Sequence, residues 1–343
     1  MPETRGSFQL SGIVTGTKDD RFLKEGKTKT NKDMATVNFG ITYEPKKTLY
    51  VKLQGIAQDN VYFSKKSEKK GEKAETEKVP WANRFDFNRE SFRLIGKNIG
   101  VQKTTNEKGE EVNDKKMLTD YDAAKEVGKY LVDDKSVFTR GNFDYSHFAD
   151  DNGNICRRVR LVPQQISLCQ PIDFADDNFV PTADFNQTIV FMGIEQEKED
   201  DKATGRFIVS AKIVNYATIE DAEFIIEEKK LADLFKKNLK PYTAIKVSGK
   251  MTCNIQTEEV EDDDSWGEED KMEKVKVPVR YEFVITGAKP STIDKELYTE
   301  EKMNAAYAAI AKKDKAENDF GDTKTDEDWG EALATADDDD TWD

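Results

Sequence analysis

The sequence predicts a mainly β protein built from two tandem OB-type Greek-key barrels, with short helices and a disordered acidic C-terminal tail. Apolar and polar residues alternate with a period of two through most of the chain, which is typical of strands with one buried face. In addition, each half follows the order strand-strand-strand-helix-strand-strand, which is the order of an OB barrel. One large β-sandwich is the alternative.

In the first half the alternation is clearest around a turn at residues 44–47. Val37, Phe39 and Ile41 share one face of the strand before it, and Leu49, Val51 and Leu53 share one face of the strand after it. A long polar loop separates these strands from the first one. The predicted elements are strands at 8–15, 36–43 and 49–54, hairpin arms at 61–65 and 78–81, a helix at 120–132, and strands at 137–148 and 157–168.

The second half repeats this order. Its predicted elements are strands at 188–194, 206–214 and 223–226, a helix at 228–239, and strands at 244–255 and 275–286. In both halves the helix runs into a strand with a glycine near its middle, Gly141 in one and Gly249 in the other. We therefore assign 1–175 to a first OB-fold domain with a Lys-rich hairpin insertion, 183–290 to a second with an acidic loop at 258–270, 291–316 to a helical segment, and 317–343 to a disordered tail.

The 343-residue chain has a formal net charge of −15, which by itself argues against a nucleic-acid-binding protein. Residues 317–343 contain 12 acids and one lysine, and residues 258–270 contain nine acids and no base. The remainder therefore has a net charge of +5, and residues 1–170, with 31 bases and 25 acids, have +6. Blocks of like charge stay solvated and usually serve as interaction segments. The pattern predicts a mildly basic body with two acidic pieces.

Three of the four tryptophans lie in acidic sequence, namely Trp266, Trp329 and Trp342. A tryptophan there has no core to stabilise, so we interpret these as apolar anchors that dock on a basic, hydrophobic pocket of a partner. Chance and solubility are the alternative explanation. The residues predicted to make this protein interaction are Asp337, Asp338, Asp339, Asp340, Trp342 and Asp343.

Cysteine usage and the N-terminus predict a cytoplasmic protein. The three cysteines are widely spaced and odd in number, unlike a disulfide framework. The first residues lack the apolar core of a signal peptide, and no stretch approaches the roughly 18 apolar residues of a membrane span. A metal site of His147, Cys156 and Cys169 lacks a supporting CxxC pair, and ordinary buried thiols are the favoured interpretation. We predict no metal and no cofactor.

Catalytic motifs do not stand out. Gly26-Lys27-Thr28 resembles the end of a phosphate-binding loop, but Arg21 occupies the position of the required first glycine. A single histidine excludes HExxH zinc sites, and the carboxylates occur in runs from which no acid–base pair is selected. We therefore predict a binding protein rather than an enzyme, with a nuclease as the weaker alternative.

Basic residues interleaved with aromatics are the positive signal, most densely at residues 79–97. Aromatic faces stack on bases and cations follow phosphates when proteins hold single-stranded nucleic acid. An OB barrel presents such groups on its second and third strands and nearby loops. The alternative is that half of these aromatics are core and the lysines form a solvated face. The candidate nucleic-acid-binding residues are Tyr50, Lys52, Lys65, Lys66, Trp81, Arg84, Phe85, Phe87, Arg89, Arg93, Arg140, Tyr145, Arg157, Arg158 and Arg160.

The chain resembles the single-stranded DNA-binding proteins of tailed bacteriophages and, more loosely, bacterial single-stranded DNA-binding protein. The shared pattern is an OB-fold followed by an acidic tail with an aromatic residue at its end, here Asp337 to Asp340, Thr341, Trp342 and Asp343. The tail departs from the family pattern because it ends in Trp-Asp rather than in phenylalanine. The resemblance implies that the tail recruits replication and recombination proteins and competes with DNA for the basic groove.

Together these observations predict sequence-independent binding of single-stranded DNA in replication, recombination or repair, by a phage-encoded protein of the bacterial cytoplasm. The first barrel holds the strand, and the second, with fewer cations, binds weakly or serves assembly. The alternative is a protein-interaction module or acidic DNA mimic whose barrels bind no nucleic acid. RNA as the ligand and an annealing activity stay open, as do the oligomeric state and the identity of the tail's partner.

Overall fold

The computed structural model describes residues 1–66, 73–149, 153, 155–199, 201–254 and 280–319. Strands dominate, as predicted. The strands of the first half are β1 (Gly6–Thr15), β2 (Leu23–Lys27), β3 (Asp33–Glu44), β4 (Lys47–Ile56), β5 (Asn60–Lys65), β6 (Glu75–Pro80), β7 (Arg93–Leu94), β8 (Lys97–Gly100), β9 (Lys103–Thr105), β10 (Glu111–Asn113), β11 (Lys116–Leu118), β12 (Ser136–Ala149) and β13 (Ile155–Leu168). Those of the second half are β14 (Ala183–Glu199), β15 (Lys202–Val214), β16 (Ile219–Ile226), β17 (Thr243–Asn254) and β18 (Arg280–Asp294).

Three α-helices accompany the strands: α1 (Asp120–Tyr130), α2 (Lys229–Asn238) and α3 (Glu300–Asp319). Thr119 caps α1, because its hydroxyl oxygen accepts a hydrogen bond from the backbone N–H of Asp122 at 3.1 Å. A short 3-10 helix, Trp81–Asn83, follows β6. Within the part of the chain that the structure describes, no helix is both long enough and apolar enough to cross a membrane.

Barrel one closes through five strands. β1 pairs with β3 and β12, β3 pairs with β4, and β13 pairs with β12, all antiparallel. The ring is completed by a parallel pairing of β4 with β13, where Val51 lies opposite Leu161. With α1 between the third and fourth strands of the ring, this is the OB topology.

Barrel two repeats the ring with different strands. β14 pairs with β15 and β17, β15 with β16, and β17 with β18, all antiparallel, while β16 and β18 are parallel neighbours. Helix α2 again lies between the third and fourth strands. The predicted tandem barrels are confirmed, and the two closed rings exclude the single β-sandwich.

A glycine marks the same corner in both barrels. The pairing register shifts by one residue beside Gly141 of β12 and beside Gly249 of β17. The extra residue of each bulge lies on the partner strand, Gln164 in β13 and Thr286 in β18. A Cβ atom on Gly141 would lie 2.1 Å from the carbonyl oxygen of Val162, and one on Gly249 would lie 1.9 Å from that of Val284. Both strands need glycine because a neighbouring carbonyl already fills the space of a side chain.

The barrels are joined through their first strands. β1 and β14 pair antiparallel around the opposed residues Phe8 and Phe185, so one continuous sheet runs through both rings. The cores merge at the same place: the ring centroids of Phe143 and Phe283, from different barrels, lie 5.3 Å apart. Thr4 adds a link near the N-terminus, since its N–H donates to the Val214 carbonyl at 2.8 Å.

Residues 57–119, between β4 and α1, form an insertion on barrel one. Its β6-β5-β7 sheet has a small core of Val61, Phe63, Val79 and Leu94, on which Phe87 packs. Strands β8 and β11 attach the insertion to the barrel, because β8 pairs parallel with β13. The insertion is therefore docked along the fifth strand of the ring, and its hairpin tip, 67–72, lies outside the described residues.

The structure differs from the predicted elements in several bounds. The polar loop after β1 contains β2, which pairs with β3 although its side chains are nearly all exposed. The third strand of barrel two begins at Ile219 rather than at 223, and β18 continues to Asp294, into the segment assigned to the last helix. The helix of that segment, which was assigned to 291–316, spans Glu300–Asp319. The acidic loop 258–270 and most of the tail lie outside the described residues.

Candidate nucleic-acid interface

The outer side of barrel one carries a cluster of cations around an exposed tyrosine. Because side chains alternate along a strand, Tyr50 and Lys52 of β4 point away from the core that Leu49, Val51 and Leu53 fill. Arg158 and Arg160 of the neighbouring strand β13 alternate in the same way with buried Leu161. We call Lys24, Tyr50, Lys52, Arg158 and Arg160 the binding face.

The charges on the binding face repel one another. Partial burial lowers the pKa of the Lys52 ammonium, and the positive charges of Arg160, Arg158 and Lys24 lower it further. Asp144 acts in the opposite direction and accepts a hydrogen bond from Arg160 at 3.3 Å. Among the charges that act on Lys52, Asp144 is thus opposed by three cations, so an anion placed here would relieve the repulsion.

Tyr50 supplies an aromatic surface in the middle of these cations. Its side chain is 47% exposed, and its backbone N–H donates to the Tyr281 hydroxyl of barrel two at 3.2 Å. The contact fixes the backbone of β4 at this position while the ring faces solvent. An exposed ring between cations is the arrangement that stacks a base while the flanking phosphates are neutralised.

The β12–β13 hairpin extends the binding face toward barrel two. Near its tip the Arg158 guanidinium lies 5.2 Å from the ring centroid of exposed Phe148. Arg157 is turned to the other barrel, where it donates to Asp221 at 2.9 Å. His147 contacts the Glu220 carboxylate at 2.7 Å through Nδ1. The hairpin is therefore anchored on β16, and Arg157 acts in that anchor rather than as a free cation.

The aromatic and basic segment at 81–93 has mainly internal contacts. Both carboxylate oxygens of Asp122 accept hydrogen bonds from Arg84, at 2.7 and 3.0 Å, and the Arg84 side chain is only 15% exposed. Arg84 also stacks on Trp81 and on Phe85, each with 4.3 Å between guanidinium carbon and ring centroid. Arg84 thus orients two aromatic rings, and its predicted role in neutralising phosphate is replaced by this structural one.

Phe87 and Arg89 are also engaged within the insertion. The ring centroid of Phe87 lies 4.4 Å from that of Phe63, and Phe87 packs on the insertion's core as a partly buried residue, so its stacking on a base stays a prediction. Arg89 forms ion pairs with Glu75 and Glu77. Phe85, by contrast, is largely exposed.

Tyr145 is wrong as a nucleic-acid-binding residue. Its side chain is 5% exposed and belongs to the barrel core beside Phe143, 6.0 Å between ring centroids. The alternation of β12 is unbroken, so Tyr145 faces inward on the same side of the strand as Val137, Thr139 and Gly141. Burial raises the pKa of its hydroxyl far above the usual range.

The remaining predicted residues are scattered around the binding face. Arg140 is exposed on β12, beyond the bulge, and Arg93 is exposed on β7 of the insertion. Lys65 and Lys66 lie at the base of the insertion hairpin. The structure brings together Tyr50, Lys52, Arg158 and Arg160 and adds Lys24. Lys24 was not predicted, because β2 shows no alternation of apolar and polar residues.

The same outer face of barrel two is acidic. Asp221 and Glu223 face outward on β16, the third strand of barrel two, and Glu282 faces outward on β18, its fifth strand. The cation Arg206 on this face is held by three carboxylates: Glu282 at 2.6 Å, Glu197 at 3.6 Å and Glu227 at 3.9 Å. Burial opposes the charge of Arg206, but these carboxylates raise its pKa above the usual value.

The structure describes the residues that were weighed as a metal site but not the predicted residues of the tail. Among the described residues, no three His, Cys, Asp or Glu side chains gather in a metal-binding arrangement. Burial raises the pKa of the Cys169 and Cys253 thiols. The six tail residues predicted to contact a protein partner, between Asp337 and Asp343, lie outside the described residues.

Comparison with known proteins gives a family but no characterised relative. A family model described as YorF matches residues 66–323, which is more than half of the chain. No curated protein matches the chain.

Two solved structures of the single-stranded DNA binding protein from Thermus aquaticus also align with the chain. A deletion mutant has a TM-score of 0.40 at 10% identity, covering 84% of this chain and 95% of that one. The wild-type protein has a TM-score of 0.40 at 9% identity, covering 84% and 93%. TM-scores of this size are too low to transfer fold or function, so the barrel assignment depends on the strand pairing described above.

Proposed function

The chain belongs to the YorF family, and we propose that it binds single-stranded DNA without sequence preference, through the binding face of barrel one. It covers exposed strands in replication, recombination or repair and has no catalytic step of its own. Phosphates lie along Lys24, Lys52, Arg158 and Arg160, and a base stacks on Tyr50. Non-specific binding of this kind needs only cations along a groove and aromatic platforms for the bases.

The observation that carries this proposal is the convergence of like charges on Lys52. A protein gains no stability from placing Arg158 and Arg160 beside a partly buried lysine, because each cation disfavours the others. Such an arrangement is explained when a polyanion completes it, as a nucleic-acid backbone does. The exposed ring of Tyr50 within the cluster distinguishes a strand with accessible bases from a simple anion.

We further propose that the acidic tail recruits replication or recombination proteins and competes with DNA for the binding face. The tail's 12 acids and its two tryptophans support this, since the four cations of the binding face are complementary to an acidic peptide. DNA would then displace the tail and free it for a partner.

The test is a fluorescence anisotropy titration of labelled oligo-dT with the full-length protein at two salt concentrations. We expect binding that weakens steeply with salt, because neutralised phosphates release their counterions. A second titration uses protein lacking residues 317–343, which we expect to bind more tightly at low salt. Absence of binding at low salt by both proteins would overturn the DNA proposal, whereas equal affinities would overturn only the competition by the tail.

A second candidate function is a protein-interaction module that binds no nucleic acid. The acidic outer face of barrel two favours it, since Asp221, Glu223 and Glu282 lie on its third and fifth strands, the strands that carry cations in barrel one. The same titration separates the two functions: a protein module leaves oligo-dT free at both salt concentrations.

A further inference from the structure

A cleft separates the insertion from barrel one, directly beside the binding face. Its volume is about 560 Å³. The barrel side is formed by β4 and β13, which supply Lys52 and Arg160, and the insertion side by β5 and the start of the 3-10 helix, which supply Tyr62 and Trp81. We call this space the insertion cleft. Two residues of the binding face thus stand at its border.

The chemistry of the insertion cleft differs from that of the binding face. Three cations and three carboxylates line it, so their charges balance: Lys52, Lys97, Arg160, Asp59, Asp120 and Asp144. Its apolar wall consists of Ile56, Val61, Tyr62, Trp81, Ile95 and Val162. Four side-chain amides complete the lining: Gln54, Gln58, Asn60 and Gln164. Balanced charge disfavours a phosphate here, while flat apolar walls and amides suit an uncharged planar group with donors and acceptors on its edge.

Lys97 is a buried polar group of the cleft with donor capacity to spare. Its side chain is 8% exposed, and its ammonium donates to Gln164 Oε1 at 2.9 Å and lies 3.6 Å from Asp120. An ammonium carries three N–H donors, so these two neighbours leave room for a third acceptor. Burial of a lysine beside a cavity raises the free energy of the folded state unless its N–H groups form hydrogen bonds. A carbonyl oxygen of a bound group would accept one of these hydrogen bonds.

We propose that the insertion cleft receives one unpaired nucleobase from the strand that crosses the binding face. This inference rests on the proposed function and adds a base-binding subsite to it. The ring of the base lies against Tyr62 and Trp81, and its edge meets Gln164 and Lys97. Its phosphates stay outside on Lys52 and Arg160. A base in a duplex cannot enter, because it is stacked and paired, so the cleft also selects single strands.

Trp81 gives a direct readout of occupancy. The other three tryptophans lie in the acidic segments, so the variant W266F/W329F/W342F leaves Trp81 as the single emitter. This protein is titrated with oligo-dT and with an abasic oligodeoxynucleotide of the same length, which has sugars and phosphates but no bases. We expect oligo-dT to quench Trp81 by stacking. The abasic strand should bind through the binding face without quenching.

A cleft variant tests the same inference through affinity. Tyr62→Ala removes a wall of the cleft and should weaken oligo-dT binding about tenfold, within the range for one stacked base. Binding of the abasic strand should not change. Tyr130→Ala, which removes an exposed ring on α1 outside the cleft, is the matched control.

The outcomes separate the subsite from the function it rests on. If both oligonucleotides bind and neither quenches Trp81, or both quench it equally, the cleft holds no base, although the binding face still binds DNA. If neither oligonucleotide binds, the proposed function fails and the subsite fails with it. The quenching experiment leaves the cleft intact, so it decides the matter even if Tyr62→Ala does not fold.

Discussion

Barrels one and two share a topology, a helix position and a corner glycine, but their outer faces have opposite charge. On the third and fifth strands barrel one carries Tyr50, Lys52, Arg158 and Arg160. Barrel two carries acids there, and its Arg206 is enclosed by three glutamates. The outward residues of a half-buried strand contribute little to the fold, so they vary freely once the inward residues are set.

The two barrels therefore share a fold but not a cationic outer face. Barrel two instead contacts the backbone of the binding face and the β12–β13 hairpin beside it. Tyr281 accepts a hydrogen bond from the backbone of Tyr50, and Asp221 holds Arg157 of the β12–β13 hairpin. If barrel one binds DNA and barrel two supports it, as proposed, equivalent substitutions in the two barrels should have unequal effects on binding.

The largest effect is expected from removing cations of barrel one. The double substitution Arg158→Ala and Arg160→Ala should lower the affinity for oligo-dT more than tenfold at low salt. Each lost phosphate contact should also reduce the slope of log affinity against log salt by roughly 0.7. Both quantities come from anisotropy titrations at several salt concentrations.

The matched control is Arg206→Ala in barrel two. Because the carboxylates around Arg206 already neutralise it, this variant should keep the wild-type affinity and salt slope. An equal loss in the control would mean that both barrels bind DNA, and the division of roles would fail.

The corner glycines should respond equally in the two barrels. Gly141→Ala and Gly249→Ala each push a methyl group into a backbone carbonyl, so each should lower the free energy of unfolding by about 1–3 kcal/mol. Urea denaturation followed by circular dichroism measures this. Gly193→Ala, where a Cβ atom meets nothing within 4 Å, is the control and should change stability by less than about 0.5 kcal/mol. A loss in one barrel only would contradict their structural equivalence.

The smallest effect concerns Tyr281, at the contact between the barrels. Burial raises the pKa of its hydroxyl to about 12, against roughly 10 for a free tyrosine. Between about pH 10 and about pH 12 the Tyr281 hydroxyl loses its proton in the unfolded chain but keeps it in the folded chain. The free energy of unfolding therefore falls as pH rises from about 10 to about 12. Tyr281→Phe should make that fall shallower in denaturation curves at pH 9 and pH 11. An unchanged pH dependence would show that Tyr281 is not shielded by barrel one.

The barrels themselves were predictable because period-two alternation is a local property. The spacing of Val51 and Leu53 alone identifies the inward face of β4, without knowledge of the strands that pair with it. Gly141 and Gly249 occupy equivalent positions in the fourth strands of the two barrels. The pairing of β1 with β14 was not predictable, because two first strands far apart in sequence carry no signal that they will meet.

The site was predictable only in part, for a physical reason. A cation's charge is visible in the sequence but its partner is not, so Arg84 and Arg158 look alike there. Asp122 forms an ion pair with Arg84, whereas none of the ion pairs among the described residues includes Arg158. Tyr145 is different, because it shares the inward face of Val137 in the unbroken alternation of β12, so its burial could have been predicted from the sequence.

The shared aromatic core has a mechanical consequence. Phe8 and Phe143 of barrel one contact Phe283 and Phe185 of barrel two in an unbroken series, with 5.3 to 5.6 Å between successive ring centroids. Packed rings and paired strands therefore connect the two barrels directly. If the first barrel binds DNA as proposed, a force that acts on the bound strand reaches the second barrel through these contacts.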